Sequence, residues 1–156
     1  PPMSAAEQRE VFESILEDTL GAGCSIEVAQ AIHDQFSSQI REHKESKSTE
    51  SLIVTAGEIG KVLLACGVTE ENVAAFQAQC GERFGVGAVL DPANLIDPGK
   101  YEVKTAQATI QVDPEFSYAV TTRVIDGRAY LLLPADDIQV NGLPIQVTNG
   151  QETETI

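Results

Sequence analysis

Two dipeptides constrain this chain more than anything else in it: Asp126-Gly127 and Asn141-Gly142. The first lies between Thr121-Thr122-Arg123-Val124-Ile125 and Arg128-Ala129-Tyr130-Leu131-Leu132-Leu133, the second between Ile138-Gln139-Val140 and Leu143-Pro144-Ile145-Gln146-Val147. A two-residue type I′ turn needs positive φ at both central positions, which Asn, Asp and Gly tolerate best, so each dipeptide between β-branched and apolar runs predicts a hairpin. The stretch 101–147 therefore reads as a small, mostly antiparallel sheet. Its strands are expected at 101–105, 109–112, 120–125, 128–133, 138–140 and 145–147. Leu131-Leu132-Leu133 breaks the in-out alternation, which predicts a central strand covered on both faces. Pro144 lacks an N–H and suits an edge.

Upstream, the period of the apolar residues changes from two to helical. Ser4 and Glu7 fit a capping box, followed by Val11, Phe12, Ile15, Leu16 and Leu20 on one face. Gly21-Ala22-Gly23 stops that helix, and Ser25 caps a second one with the stripe Ile26, Ala29, Ile32, Phe36 and Ile40, ending near His43. Residues 43–51 carry no apolar side chain and read as a polar linker. Leu52-Ile53-Val54 suggests a short strand. Thr55 and Glu58 then cap a third helix (Ile59, Val62, Leu63, Cys66) that Gly67 ends, and Thr69 caps a fourth (Val73, Phe76, Cys80, Phe84). The fold class is thus α+β, with about four N-terminal amphipathic helices followed by the antiparallel sheet. The expected organisation is a helical hairpin at 4–43, a linker at 44–51, a helical pair plus sheet at 52–148, and a polar tail at 149–156 read as flexible. One compact domain is the alternative.

Charge narrows the function classes. Lys and Arg total 10 against 24 Asp and Glu, a formal net charge of −14. Such a surface repels phosphate backbones and anionic lipid, so neither nucleic acid nor membrane is expected as a partner. The helix-turn-helix-like segment 55–84 does not change that expectation. Its would-be recognition helix opens Thr69-Glu70-Glu71-Asn72 and offers no Arg or Lys to a base edge. No apolar run approaches the ~20 residues of a membrane span. Cys24, Cys66 and Cys80 form neither a disulfide framework nor a C-x-x-C pair. A cytoplasmic protein is expected.

Motifs for chemistry are sparse. Gly57-Glu58-Ile59-Gly60-Lys61 lacks the spacing of a phosphate loop, and Gly85-Val86-Gly87 lacks the third glycine of a dinucleotide fingerprint. His33 and His43 stand ten residues apart on one helix and cannot share an ion. Asp91, Asp97, Asp136 and Asp137 are the carboxylates that could gather around Ca²⁺ or Mg²⁺, but no EF-hand pattern exists and solvated loop carboxylates are the favoured reading. Cys24, just before a helix N-terminus, is the thiol best placed for activation. No catalytic set, cofactor or metal site is assigned.

Several segments carry a resemblance: Ala29-Gln30-Ala31-Ile32-His33, Gly67-Val68-Thr69-Glu70-Glu71, Tyr101-Glu102-Val103-Lys104-Thr105, Thr122-Arg123-Val124-Ile125-Asp126-Gly127-Arg128 and Val140-Asn141-Gly142. They resemble an uncharacterised family of Gram-positive, largely anaerobic bacteria, classed as a domain of unknown function, over most of 10–147. Its members are longer, which with Pro1-Pro2-Met3 at the start implies a C-terminal fragment. The resemblance implies no activity. The expected function is a non-catalytic interaction or structural module of a larger protein, with other regions of that protein or a separate protein as partner. The alternatives are part of an enzyme whose site is completed outside this chain and, third, nucleic-acid binding. Arg123, Asp126 and Arg128 mark the surface to probe.

Overall fold

The computed structural model describes residues 2–148 and has the α+β class expected. It divides into two compact units, Pro1–Ser117 and Tyr118–Ile156. The tail expected at 149–156 lies outside the described residues.

The first unit is held by four helices: α1 (Ala5–Leu20), α2 (Ile26–Ser46), α3 (Ala56–Ala65) and α4 (Glu70–Phe84). Each begins where a hydroxyl can accept a free N–H of the first turn: Ser4 from Glu7, Ser25 from Val28, Thr55 from Glu58 and Thr69 from Asn72. The α3–α4 turn is a Schellman closure. The Val68 N–H donates to the Leu63 carbonyl at 3.1 Å and the Gly67 N–H to the Leu64 carbonyl at 3.0 Å. Gly67 has φ +88°, which is why a glycine ends this helix.

Phe12 joins three of the helices. Its ring lies 6.1 Å from Phe36 of α2 and 6.3 Å, edge-on, from Phe76 of α4. Ile15, Ile32, Ile59, Leu63 and Val73 fill the space around these rings. The α2 stripe differs by one step from the expected one: Val28, Ile32 and Phe36 are buried, while Ala29 is exposed. Spacing of four gives those larger side chains a common face, and Ala29 turns past it. Helix α2 also continues beyond His43, to Ser46, where Lys47 caps it with φ +54°.

Strand β1 (Val54–Thr55) pairs with β2 (Val89–Leu90), Val54 opposite Leu90 and Thr55 opposite Val89, a ladder invisible to local pattern because 35 residues lie between Val54 and Leu90. A short α5 (Pro92–Leu95) follows, capped by the Asp91 carboxylate, where turn chemistry alone was expected. Arg9 of α1 donates to the Asn94 carbonyl at 3.4 Å, and Asn94 donates to Gln8 at 3.1 Å, which ties α5 to α1. Strands β3 (Tyr101–Lys104) and β4 (Thr109–Val112) pair as this unit's last ladder, and a 3₁₀ segment, Pro114–Ala119, spans the boundary at Ser117.

In the second unit, β5 (Thr121–Ile125) pairs with β6 (Arg128–Leu132), and β7 (Gln139–Val140) with β8 (Leu143–Pro144). Positive φ at Asp126 (+50°), Gly127 (+77°), Asn141 (+51°) and Gly142 (+84°) confirms both turns. The strands expected to form one sheet at 101–147 make instead three of the four separate two-stranded ladders among the described residues. These three join strands adjacent in the chain, which short turns can pair with little loop-closure entropy. Leu131-Leu132-Leu133 is accordingly not a central strand. Leu131 and Leu132 are half-buried, and Leu133 is 47% exposed. The last strand also lies earlier than expected: the two-residue loop pairs Val140 with Leu143 and Gln139 with Pro144, ahead of 145–147.

Candidate functional site

The segment with the most unusual surface is 118–148. Strands there are formed, yet Val120 is its one buried residue. Tyr118, Val124, Tyr130, Leu133, Val140, Leu143, Ile145 and Val147 are all exposed, Val124 by 70%. Single exposed apolar side chains are ordinary; a run of them along two hairpins is an unpartnered surface.

The β5–β6 register sorts these residues into two faces. Arg123 stands opposite Tyr130, and Ile125 opposite Arg128, so both arginines share a face with Tyr130, Ile125, Thr121 and Leu132. Thr122, Val124, Ala129 and Leu131 form the other face. Asp126 is in the turn, where positive φ explains its presence without chemistry. No carboxylate lies within ion-pairing distance of Arg123 or Arg128 among the described residues, where the ion pair is Lys100–Glu102 at 3.5 Å.

The other candidates have structural partners. Asp91 accepts from the Ala93 N–H at 3.0 Å and Asp97 from the Gly99 N–H at 2.9 Å, so both carboxylates shape turns. Asp136 and Asp137 are exposed, and Asp137 occupies a left-handed turn position at φ +52°. Among the described residues no three His, Cys, Asp or Glu side chains form a metal-holding group. His33 acts as a clamp. Its Nε2 lies 3.0 Å from the Asp97 carbonyl and 2.9 Å from the Lys100 carbonyl, its Nδ1 3.4 Å from Ser37 Oγ, and its ring packs edge-on against Tyr101. An Nε2–H shared between two carbonyls, with Nδ1 accepting from Ser37, satisfies the ring. His43 holds the linker through the Glu50 carbonyl at 2.6 Å.

Cys24, the thiol best placed by sequence, is not activated. Burial pushes the Cys24 thiol up from its ordinary value, and the Cys80 thiol up to about 11. Cys80 lies under a cleft of about 510 Å³ lined by Thr55, Gly57, Phe84, Val86 and Leu90, among others. This cleft was not foreseen; its local signal, the glycines around Val86, reads equally well as a helix stop. The Glu102 carboxyl is held below its usual range, chiefly by the hydrogen bond from Gln111 and further by Lys100, with desolvation opposing.

A family model described as a domain of unknown function, DUF4317, matches residues 1–143. The chain belongs to that family. Comparison with curated proteins gave no match, and comparison with solved structures gave none either. The DUF4317 match takes in both β5–β6 and the β7–β8 turn, so the open hairpins are part of the family domain. No helix among the described residues is long and apolar enough to cross a membrane.

Proposed function

We propose that this DUF4317 domain is a non-catalytic interaction module, part of a larger cytoplasmic protein of a Gram-positive bacterium, whose docking surface is the open β structure at 118–148. One observation carries the reading: that segment has formed ladders and two defined turns, yet buries a single side chain. Two-stranded hairpins gain little stability alone, and apolar faces left in water are what a partner covers. The raised Cys24 and Cys80 thiols favour the same reading, because burial moves both away from nucleophilic chemistry. The enzyme alternative rests on the cleft over Cys80, whose lining is mostly small and apolar and brings together no acid–base pair.

The test compares full-length protein carrying the natural sequence with Val124→Asp, each captured from extract of the native cell. Val124 is exposed, so the substitution changes the surface rather than the helical core. Recovery of a partner by the natural sequence and its loss with Val124→Asp is expected. Equal recovery by both would remove the apolar face that carries Val124 as the docking surface. A gel shift at low salt checks the third reading, and no retardation of DNA or RNA is expected from a chain of net charge −14.

A further inference from the structure

The two hairpins of the second unit differ at one position that decides whether a strand edge is open. In a hairpin closed by a two-residue turn, the pair flanking the turn is hydrogen-bonded, the next pair is not, and the pattern alternates. The β7–β8 hairpin obeys this. Val140 and Leu143 flank the turn, Gln139 faces Pro144, and one step further the Ile145 N–H donates to the Ile138 carbonyl at 3.0 Å. Pro144 therefore sits where an N–H would point away from the ladder, and its ring removes that donor. The β8 edge is blocked.

Ala129 occupies the equivalent position after Asp126-Gly127. By the same alternation, the N–H and C=O groups of Ala129 and Leu131 point away from β5. No hydrogen bond engages them among the described residues, and β6 has no second neighbouring strand there. Residues 129–132 contain no charge and no proline, so the devices that normally protect an edge are missing.

We infer that β6 pairs with β6 of a second copy of this chain, antiparallel about a twofold axis at Tyr130, joining two hairpins into a four-stranded sheet. This rests on the proposed role of 118–148 as a docking surface and names its partner. Self-pairing in that register sets Ala129 against Leu131 of the second copy, exchanging the outward backbone groups. It sets Arg128 against Leu132 and Tyr130 against Tyr130, so no like charges meet. The corresponding register of β5 would centre on Arg123 and place two arginines face to face. β6 is therefore the edge that fits itself. Charge agrees with this choice: residues 121–132 carry two arginines and one aspartate, while the whole chain has a net charge of −14, so the hairpin is a place where two copies can approach.

The contact involves short strands and is expected to be weak, on the order of micromolar. Sedimentation equilibrium of the chain, at concentrations on the order of 10 to 500 µM, is expected to move from 16.7 kDa toward twice that mass. Association should tighten as salt rises, because salt screens repulsion between two acidic chains. An acidic partner drawn to the arginines would bind more weakly under the same change. Ala129→Pro, which reproduces the β8 arrangement, is expected to leave the chain monomeric. Thr122→Pro removes an outward N–H from β5 and should leave the dimer intact. In a Cys24→Ser background, Tyr130→Cys should oxidise to a covalent dimer and Ala129→Cys should not, since only position 130 meets itself. A 16.7 kDa species throughout, or loss of association with Thr122→Pro but not Ala129→Pro, would overturn the inference. A monomer that still captures another protein in a Val124-dependent way would overturn the self-pairing alone and leave the docking role standing.

Discussion

At the scale of single residues, what decides reactivity is burial rather than sequence neighbourhood. Cys24 stands just before α2, where a helix N-terminus would favour a thiolate, but desolvation moves its thiol the other way. Cys80 is 3% exposed, and burial pushes its thiol up to about 11. Under native conditions a thiol reagent is expected to label Cys24 first and Cys80 only after unfolding; simultaneous labelling would contradict this packing. A linked pH dependence follows. The Cys80 value is higher folded than unfolded, so its contribution to stability is complete below pH 9 and is lost as pH rises through about 11. Tyr101, also raised by burial, acts in the same direction. Denaturant midpoints measured across the alkaline range should fall, and Cys80→Ala should flatten the slope while lowering the plateau.

At the scale of elements, boundary chemistry was legible and pairing partners were not. All four caps read from Ser4, Ser25, Thr55 and Thr69 are present, because each is a contact within three residues. Gly67 and Gly57 give a paired prediction of opposite sign. Gly67 has φ +88° and nothing within 4 Å of an added Cβ, so Gly67→Ala should lose about 1–2 kcal/mol through backbone strain alone. Gly57 has ordinary φ, and an added Cβ meets only Thr55 Oγ1 at 3.8 Å, so Gly57→Ala should gain about 0.4–1 kcal/mol. Urea denaturation of both variants checks the contrast. The hairpin turns were equally legible from Asp126-Gly127 and Asn141-Gly142. What they did not reveal was whether neighbouring hairpins join, since that depends on edges and faces rather than on turns.

For the whole molecule, the two units differ in where their stability lies. The first has a continuous core around Phe12, Phe36 and Phe76, so Phe76→Ala should destabilise it by about 3–5 kcal/mol in thermal or chemical unfolding. Among its described residues the second has ladders and one buried side chain, Val120. In hydrogen exchange, amides around Ile32 and Phe36 should be the slow ones, and outward amides of β6 fast in dilute protein. The class of fold, the helices with their caps, and the β5–β6 and β7–β8 turns were determined by the sequence alone, because these depend on periodicity and on contacts a few residues apart. The β1–β2 ladder, the clamp from His33 to the Asp97 and Lys100 carbonyls, and the exposed state of Leu133 were decided only by the tertiary structure. Each depends on what stands beside a residue after distant segments have packed, and an apolar strand reads the same whether its neighbour is a core, water or another chain.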